Sequence, residues 1–298
     1  MHVSIVNRFV QLCFTVLLAF HSLHGQDGAP SAQRFLLLPG PLGVPPLVAS
    51  YQEPRVGLRK EIGTSKMKVD IGASVDLLEV RPVADSTHRI RVGIDFFTYA
   101  LSTSSEGLRL QIDAVDGFFG GHIAYIGALD DRSAVLLRLR LLHLSAHFLD
   151  GHFSTTTQTW KENRAPIPFT RDFGELLGFY RFSTSALVLQ AYSGCSYATL
   201  IRPTAIQRFE LLAGFELSSV IGTVFGKPFN LYLADHLVLR RIPVAVGTNN
   251  LEGGVKFGAW QGTGLKLFLS YYNGLDPFSQ YYDVRRRNVG VGFAFDFW

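Results

Sequence analysis

The sequence predicts an all-β chain: a transmembrane, antiparallel, up-and-down β-barrel of about twelve strands. Three features carry that expectation. Apolar and polar residues alternate with period two through much of the chain. No stretch beyond the N-terminus approaches the roughly 18 to 20 uninterrupted apolar residues of a membrane-crossing helix. The last segment, Val289 to Trp298, is an alternating strand rich in aromatics.

The alternation is cleanest between Lys66 and Asp76, where Met67, Val69, Ile71, Ala73 and Val75 interleave with Lys68, Asp70, Gly72 and Ser74. Period two places the two sets on opposite faces of a strand. The pattern returns in Ile90, Val92, Ile94 and Phe96, in Leu108, Leu110, Ile112 and Ala114, in Phe209, Leu211, Ala213 and Phe215, and in Phe229, Leu231 and Leu233. Each segment has about the ten residues that a tilted strand needs to cross the hydrocarbon layer.

Counting back from the end places strands near 287–298, 263–273, 251–260, 229–239, 207–216, 185–193, 174–182, 133–148, 121–129, 107–116, 87–99 and 66–79, with Pro54 to Ile62 able to add one more. An even count brings both ends of a closed barrel to one side. It puts the long connections 149–173 and 274–286 on the outer side, and the tight turns near Asp130 and Gln261 on the periplasmic side. The connection 217–228 is longer than a periplasmic turn should be.

Of the 298 residues 47% are hydrophobic and 17% charged, a balance that suits either one large core or a lipid-facing surface. Residues 1–25 read as a secretory signal, with Arg8 ahead of the apolar run Phe9 to Phe20. Residues 26–64, with Pro39, Pro41, Pro45 and Pro46, read as a proline-punctuated periplasmic lead-in, and 65–298 as the barrel. Loss of the signal leaves Cys195 as the only cysteine, which excludes an intrachain disulfide. The formal charge of +4 is modest, and no basic run is interleaved with aromatics, so nucleic acid is not an expected partner. Arg285, Arg286 and Arg287 form the one basic cluster, read as a solvated loop that meets anionic lipid head groups. Phosphate-cradling glycine loops are absent and no cofactor is expected.

The strand Val289-Gly290-Val291-Gly292-Phe293-Ala294-Phe295-Asp296-Phe297-Trp298 resembles the C-terminal signal by which outer-membrane barrels are recognised for assembly. Phe297 is in phase with the apolar face and Trp298 stands one place beyond it. The resemblance implies residence in the bacterial outer membrane, with its lipids and the barrel assembly machinery as partners.

The segment Leu137 to Gly151 stands apart. Leu137, Leu139 and Leu141 share a face with His143, Ser145 and His147, while Arg138 and Arg140 point the other way. If the leucines touch lipid, His143 and Ser145 stand where the strand leaves the hydrocarbon. A serine hydroxyl becomes a nucleophile when a neighbouring base takes its proton, and i, i+2 spacing sets both side chains on one face. The arrangement resembles the His-x-Ser element of outer-membrane phospholipase A and of the barrel deacylase that trims lipid A. That resemblance makes His143 the base and Ser145 the nucleophile. Asn163 is the expected third member, with Glu162 and Glu175 as other candidates, and Ala146 stands where those families tend to carry Asn. A shared metal site for His143, His147, Asp150 and His152 is not expected, because i and i+4 on a strand lie about 13 Å apart.

The stretches Leu47 to Arg55 and His143 to Asp150 together resemble an uncharacterised bacterial family of predicted outer-membrane barrels, which implies fold and location but no activity. The inward set Asp70, Asp76, Arg89, Arg91, Asp95, Arg109, Asp113, Arg138, Arg140, Arg208, Glu210 and Glu216 is balanced in sign, as a lumen closed by ion pairs or a narrow, weakly selective pore requires. The sequence therefore favours a non-catalytic barrel, structural or weakly conducting. The alternative is a lipid-ester hydrolase using His143 and Ser145 at the outer rim.

Overall fold

Strands that bury one row of side chains and expose the other can satisfy every backbone group only by closing on themselves. The structure, a computed structural model, describes residues 35–81, 87–105, 108–242 and 244–297, so residues 1–25, expected from sequence to be a secretory signal, and Trp298 lie outside the described residues. Twelve antiparallel strands form the wall: β1 (Val56–Glu61), β2 (Met67–Val80), β3 (His88–Ser105), β4 (Leu108–Ala128), β5 (Ser133–Phe148), β6 (Phe169–Ser183), β7 (Leu187–Arg202), β8 (Phe209–Val224), β9 (Lys227–Ile242), β10 (Val244–Gly258), β11 (Gly264–Leu275) and β12 (Arg285–Asp296). Each pairs with its sequence neighbour, and β12 pairs with β1 from Gly290 opposite Glu61 to Phe295 opposite Val56, which closes the ring.

The expected strand number holds, but two of its members change. Segments 107–116 and 121–129 are one strand, β4, because Gly117, Gly120 and Gly121 continue the ladder without adding apolar bulk. The twelfth place is filled by Val56–Glu61, so the wall begins ahead of residue 65. The 217–228 connection also dissolves: β8 runs on to Val224, and Phe225 and Gly226, with φ of 51° and 73°, make a two-residue hairpin turn. Irregular pairing where β3 meets the start of β4 shifts the phase, so Asp113 and Ala114 are both buried instead of facing opposite ways.

Outward rows are apolar, as the alternation predicts: Ile90, Val92, Ile94 and Phe96 on β3, Leu211 and Leu217 on β8, and Leu231, Leu233, Leu237 and Leu239 on β9 are all exposed. The inward rows carry the charges. The lead-in does not lie outside the barrel. Phe35–Leu37 pairs with the lower end of β2, and the chain then turns into the lumen, where Leu42, Val44, Leu47, Val48 and Ala49 are buried before β1 starts. Leu47 packs with Leu136, Leu177 and Phe179, and Val48 with Tyr232 and Phe268. Burial of these side chains adds to the apolar clusters that the inner face of the wall supplies among its buried charges.

Candidate functional site

On β5 the inward residues Leu136, Arg138, Arg140, Leu142, Leu144 and Ala146 are buried, and the outward series runs Leu137, Leu139, Leu141, His143, Ser145, His147. This is the predicted division of faces. It leaves His143 and Ser145 on the outer side of the wall, beyond the leucines and toward the end that carries the long connections. Short turns at one end and long loops at the other mark that end as the extracellular one.

Register completes the site. His143 lies opposite Phe119 of β4 on one side and Asp172 of β6 on the other. Its Nδ1 donates to Asp172 Oδ1 at 2.6 Å, and the Phe119 ring lies against it with centroids 4.8 Å apart. With Nδ1 engaged by a carboxylate, the favoured neutral tautomer presents its lone pair on Nε2. The side chains of His143 and Asp172 are 34% and 46% exposed, so the pair sits in contact with the surroundings of the barrel and not in its core.

Ser145 lies between Gly117 and Thr170. A Cβ added at Gly117 would meet only Ser145 O and Oγ, each at 4.0 Å, so the missing side chain leaves open space beside the hydroxyl. Among the described residues no hydrogen bond joins His143 to Ser145; their Cα atoms are about 7 Å apart on an extended strand. Catalytic hydrogen bonds of unliganded sites are commonly long and tighten on substrate.

The other candidates fall elsewhere. Asn163 belongs to the turn Lys161–Asn163 of the outer loop, and the carboxylate that engages His143 is Asp172. Glu162 faces Lys66 at 3.9 Å. Glu175 points inward, in phase with Arg171 and Phe173, and pairs with Arg138 and Arg140. His147 is exposed on the outer face, whereas His152 is fully buried and bonded to Asp113 at 2.9 Å, so these histidines occupy opposite sides of the wall. Ala146 is buried, and is therefore not beside the serine hydroxyl.

Among the described residues the lumen is occupied by buried ion pairs and by the inserted segment. Glu53, from the inserted segment, bridges Arg138 (3.2 Å to Oε2) and Arg140 (3.1 Å). Glu252 takes Arg55 and Arg59 at 3.0 and 2.8 Å, and His122 lies between Asp76 and Asp95 at 2.8 and 3.0 Å. Gly93 permits the last of these, since a Cβ there would lie 2.5 Å from the His122 ring. Of the inward charges expected from sequence, Arg89 and Arg208 are exposed near strand ends, and the side chain of Arg109 lies outside the described residues.

At the outer mouth, loop 276–284 folds inward. Phe278 and Tyr281 join Phe97, Tyr99 and Phe118 in one cluster; Ser279 N donates to Asp116 at 3.0 Å and Gln280 Nε2 to Ala146 O at 2.7 Å. Between this loop and the inserted segment remains a cavity of about 70 Å³, bordered by Tyr51, Arg171, Glu210, His236, Arg240 and Asn250, room for only a few water molecules.

The closed ring and its apolar outer belt decide the location, because a wall exposing rows of leucine, isoleucine and phenylalanine requires lipid around it. The chain is a β-barrel of the bacterial outer membrane. No family model and no curated protein matches it. Among solved structures it is similar to the β-domain of the Bordetella autotransporter BrkA, at 16% identity and a TM-score of 0.41 over 81% of this chain and 98% of that one. It is also similar to CdiB from Acinetobacter baumannii (9%, TM-score 0.36, 82% of this chain and 60% of that one) and to OmpT, an outer-membrane protein of Vibrio cholerae (10%, 0.33, 81% and 96%). Likenesses this distant say nothing of activity.

Proposed function

We propose that the barrel is a lipid-ester hydrolase whose active site is on its outer wall, with Ser145 as nucleophile, His143 as base and Asp172 orienting the base. The observation that carries the reading is the 2.6 Å contact between His143 Nδ1 and Asp172 Oδ1 on the lipid side of the wall, two residues along the strand from an accessible serine.

In the reaction, Ser145 Oγ attacks the carbonyl carbon of an acyl ester while its proton passes to His143 Nε2, and Asp172 stabilises the imidazolium. The tetrahedral centre collapses, the C–O bond to the alcohol breaks, and His143 returns the proton to the departing oxygen. Water, deprotonated by the same histidine, then releases the fatty acid. Strand rigidity on both sides of the pair supports the geometry, since sites on strands hold their side chains better than sites on loops.

The inserted segment and the ion pairs that occupy the lumen favour, as second reading, a non-catalytic structural barrel over a conducting one. Covalent trapping separates the two. A long-chain alkyl phosphonate ester should label the folded protein once, at Ser145, and labelling should fall sharply in His143→Asn and Asp172→Asn. Labelling that ignores both substitutions, or that misses Ser145, leaves the structural barrel.

A further inference from the structure

Inside the wall, arginines are neutralised: Arg91, Arg138, Arg140, Arg171 and Arg240 each pair with a buried carboxylate. At the outer rim over β7, β8 and β9 the pattern reverses. Arg208 and Arg241 are both exposed, and among the described residues neither has a carboxylate within ion-pair distance. They border the same open groove, which Thr204 and Gln207 also line.

The groove is built by the backbone. Arg208 Nη1 donates to Ala198 O at 3.1 Å and also to Thr199 O, which fixes one edge of its guanidinium and leaves the other edge free. Gln207 N donates to Arg241 O at 3.2 Å and ties the 203–208 connection to the end of β9. Below the two arginines, Tyr197 and Phe209 stand directly opposite each other on β7 and β8, both outward and half exposed. Below Phe209 the outward row of β8 continues in Leu211, which is also exposed. Cationic groups thus lie above a pair of aromatics, and the aromatics above an apolar row.

We infer that this groove seats a phosphorylated lipid of the outer leaflet, its phosphate between Arg208 and Arg241 and its acyl chains against Tyr197 and Phe209. Guanidinium groups with free edges suit phosphate oxygens, and aromatic side chains collect at the level of lipid head groups. The order of chemistry along the wall matches one molecule crossing from head group to hydrocarbon. A protein partner would find two aromatics already committed to the lipid boundary. The seat is independent of the proposed hydrolysis.

Binding of diphosphorylated lipid A to the detergent-folded full barrel, followed by native mass spectrometry, tests the inference. Arg208→Gln/Arg241→Gln should weaken binding at least tenfold, and added sodium chloride should weaken the wild type progressively. Arg285→Gln/Arg287→Gln, elsewhere on the rim, should change it less than twofold. Because Arg208 also anchors a turn, Arg241→Gln alone is the second variant, with retained heat-modifiable migration showing that it folds. Equal binding of fully dephosphorylated lipid A, unchanged binding in both variants, or complete competition by millimolar inorganic phosphate would overturn the inference.

Discussion

His143 and Asp172 face each other across β5 and β6, Nδ1 to Oδ1 at 2.6 Å, in a row that begins with Phe96 and Phe119 on the outer wall. The Phe119 ring covers one flank of the imidazole and the carboxylate holds the other. Such an arrangement fixes both tautomer and ring plane.

Asp172→Asn should therefore separate folding from activity. The amide keeps the shape and can still bond to the ring, but it no longer stabilises the imidazolium, so ester hydrolysis should fall about 10²- to 10⁴-fold. Thermal unfolding should shift little, since an exposed surface pair contributes ~0–1 kcal/mol. Activity assays and melting curves on the same preparation check it.

Glu53→Ala should act through the lumen. It leaves Arg138 and Arg140 with Glu175 alone, three charges in place of a balanced four, and removing one member of a buried ion pair costs about 3–5 kcal/mol. Urea unfolding in lipid vesicles should show the loss. Glu53→Gln, which retains shape and hydrogen bonding, should lose less.

A lumen occupied by the inserted segment and by buried ion pairs predicts electrical silence. Wild-type protein in a planar bilayer should show no steady conductance. A variant with 41–52 replaced by a glycine-serine linker, which removes the apolar plug side chains Leu42, Val44, Leu47 and Val48, should show openings if it folds. Steady conductance by the wild type would contradict the seal.

The loop closing the outer mouth should respond to pH through Asp276. Burial, the largest influence, lifts its carboxyl to about 6, against the opposing pull of Arg286, Phe278 N and Lys66 and with help from Glu61. The folded state then holds the proton more tightly than the unfolded chain, so this contribution is full below about pH 4 and is lost as pH rises through 6. Melting temperature measured from pH 4 to 7 should fall in the wild type relative to Asp276→Asn, and the difference should level off above pH 6.

Much of the wall is legible in the sequence because lipid and lumen impose opposite demands on alternate residues. Ile90 to Phe96 and Phe229 to Leu233 declare their faces without any knowledge of neighbours. Strand limits are less legible: the glycines of β4 mimic a turn, and the short β1 lies in a proline-rich stretch that reads as a linker. The inserted segment gave no local signal, since burial of Leu47 and Glu53 depends on residues far along the chain, among them Leu177 and Arg138. At the site, the phase of His143 and Ser145 is local and readable. Asp172 is not, because its pairing with His143 is set by register across the whole loop 149–168. The one available hint was parity: Asp172 is out of phase with Phe169, Arg171, Phe173 and Glu175, all of which are buried.

Release of fatty acid by the purified, folded barrel tests the central claim most directly. Wild-type protein should liberate fatty acid from phospholipid or lipid A in mixed micelles, with or without calcium, while Ser145→Ala and His143→Asn, each equally folded by heat-modifiable migration, should both lose at least 10²-fold, and the double variant little more than either. No release by the wild type from either lipid, or release that survives Ser145→Ala, would contradict the assignment of Ser145, His143 and Asp172 as a catalytic unit.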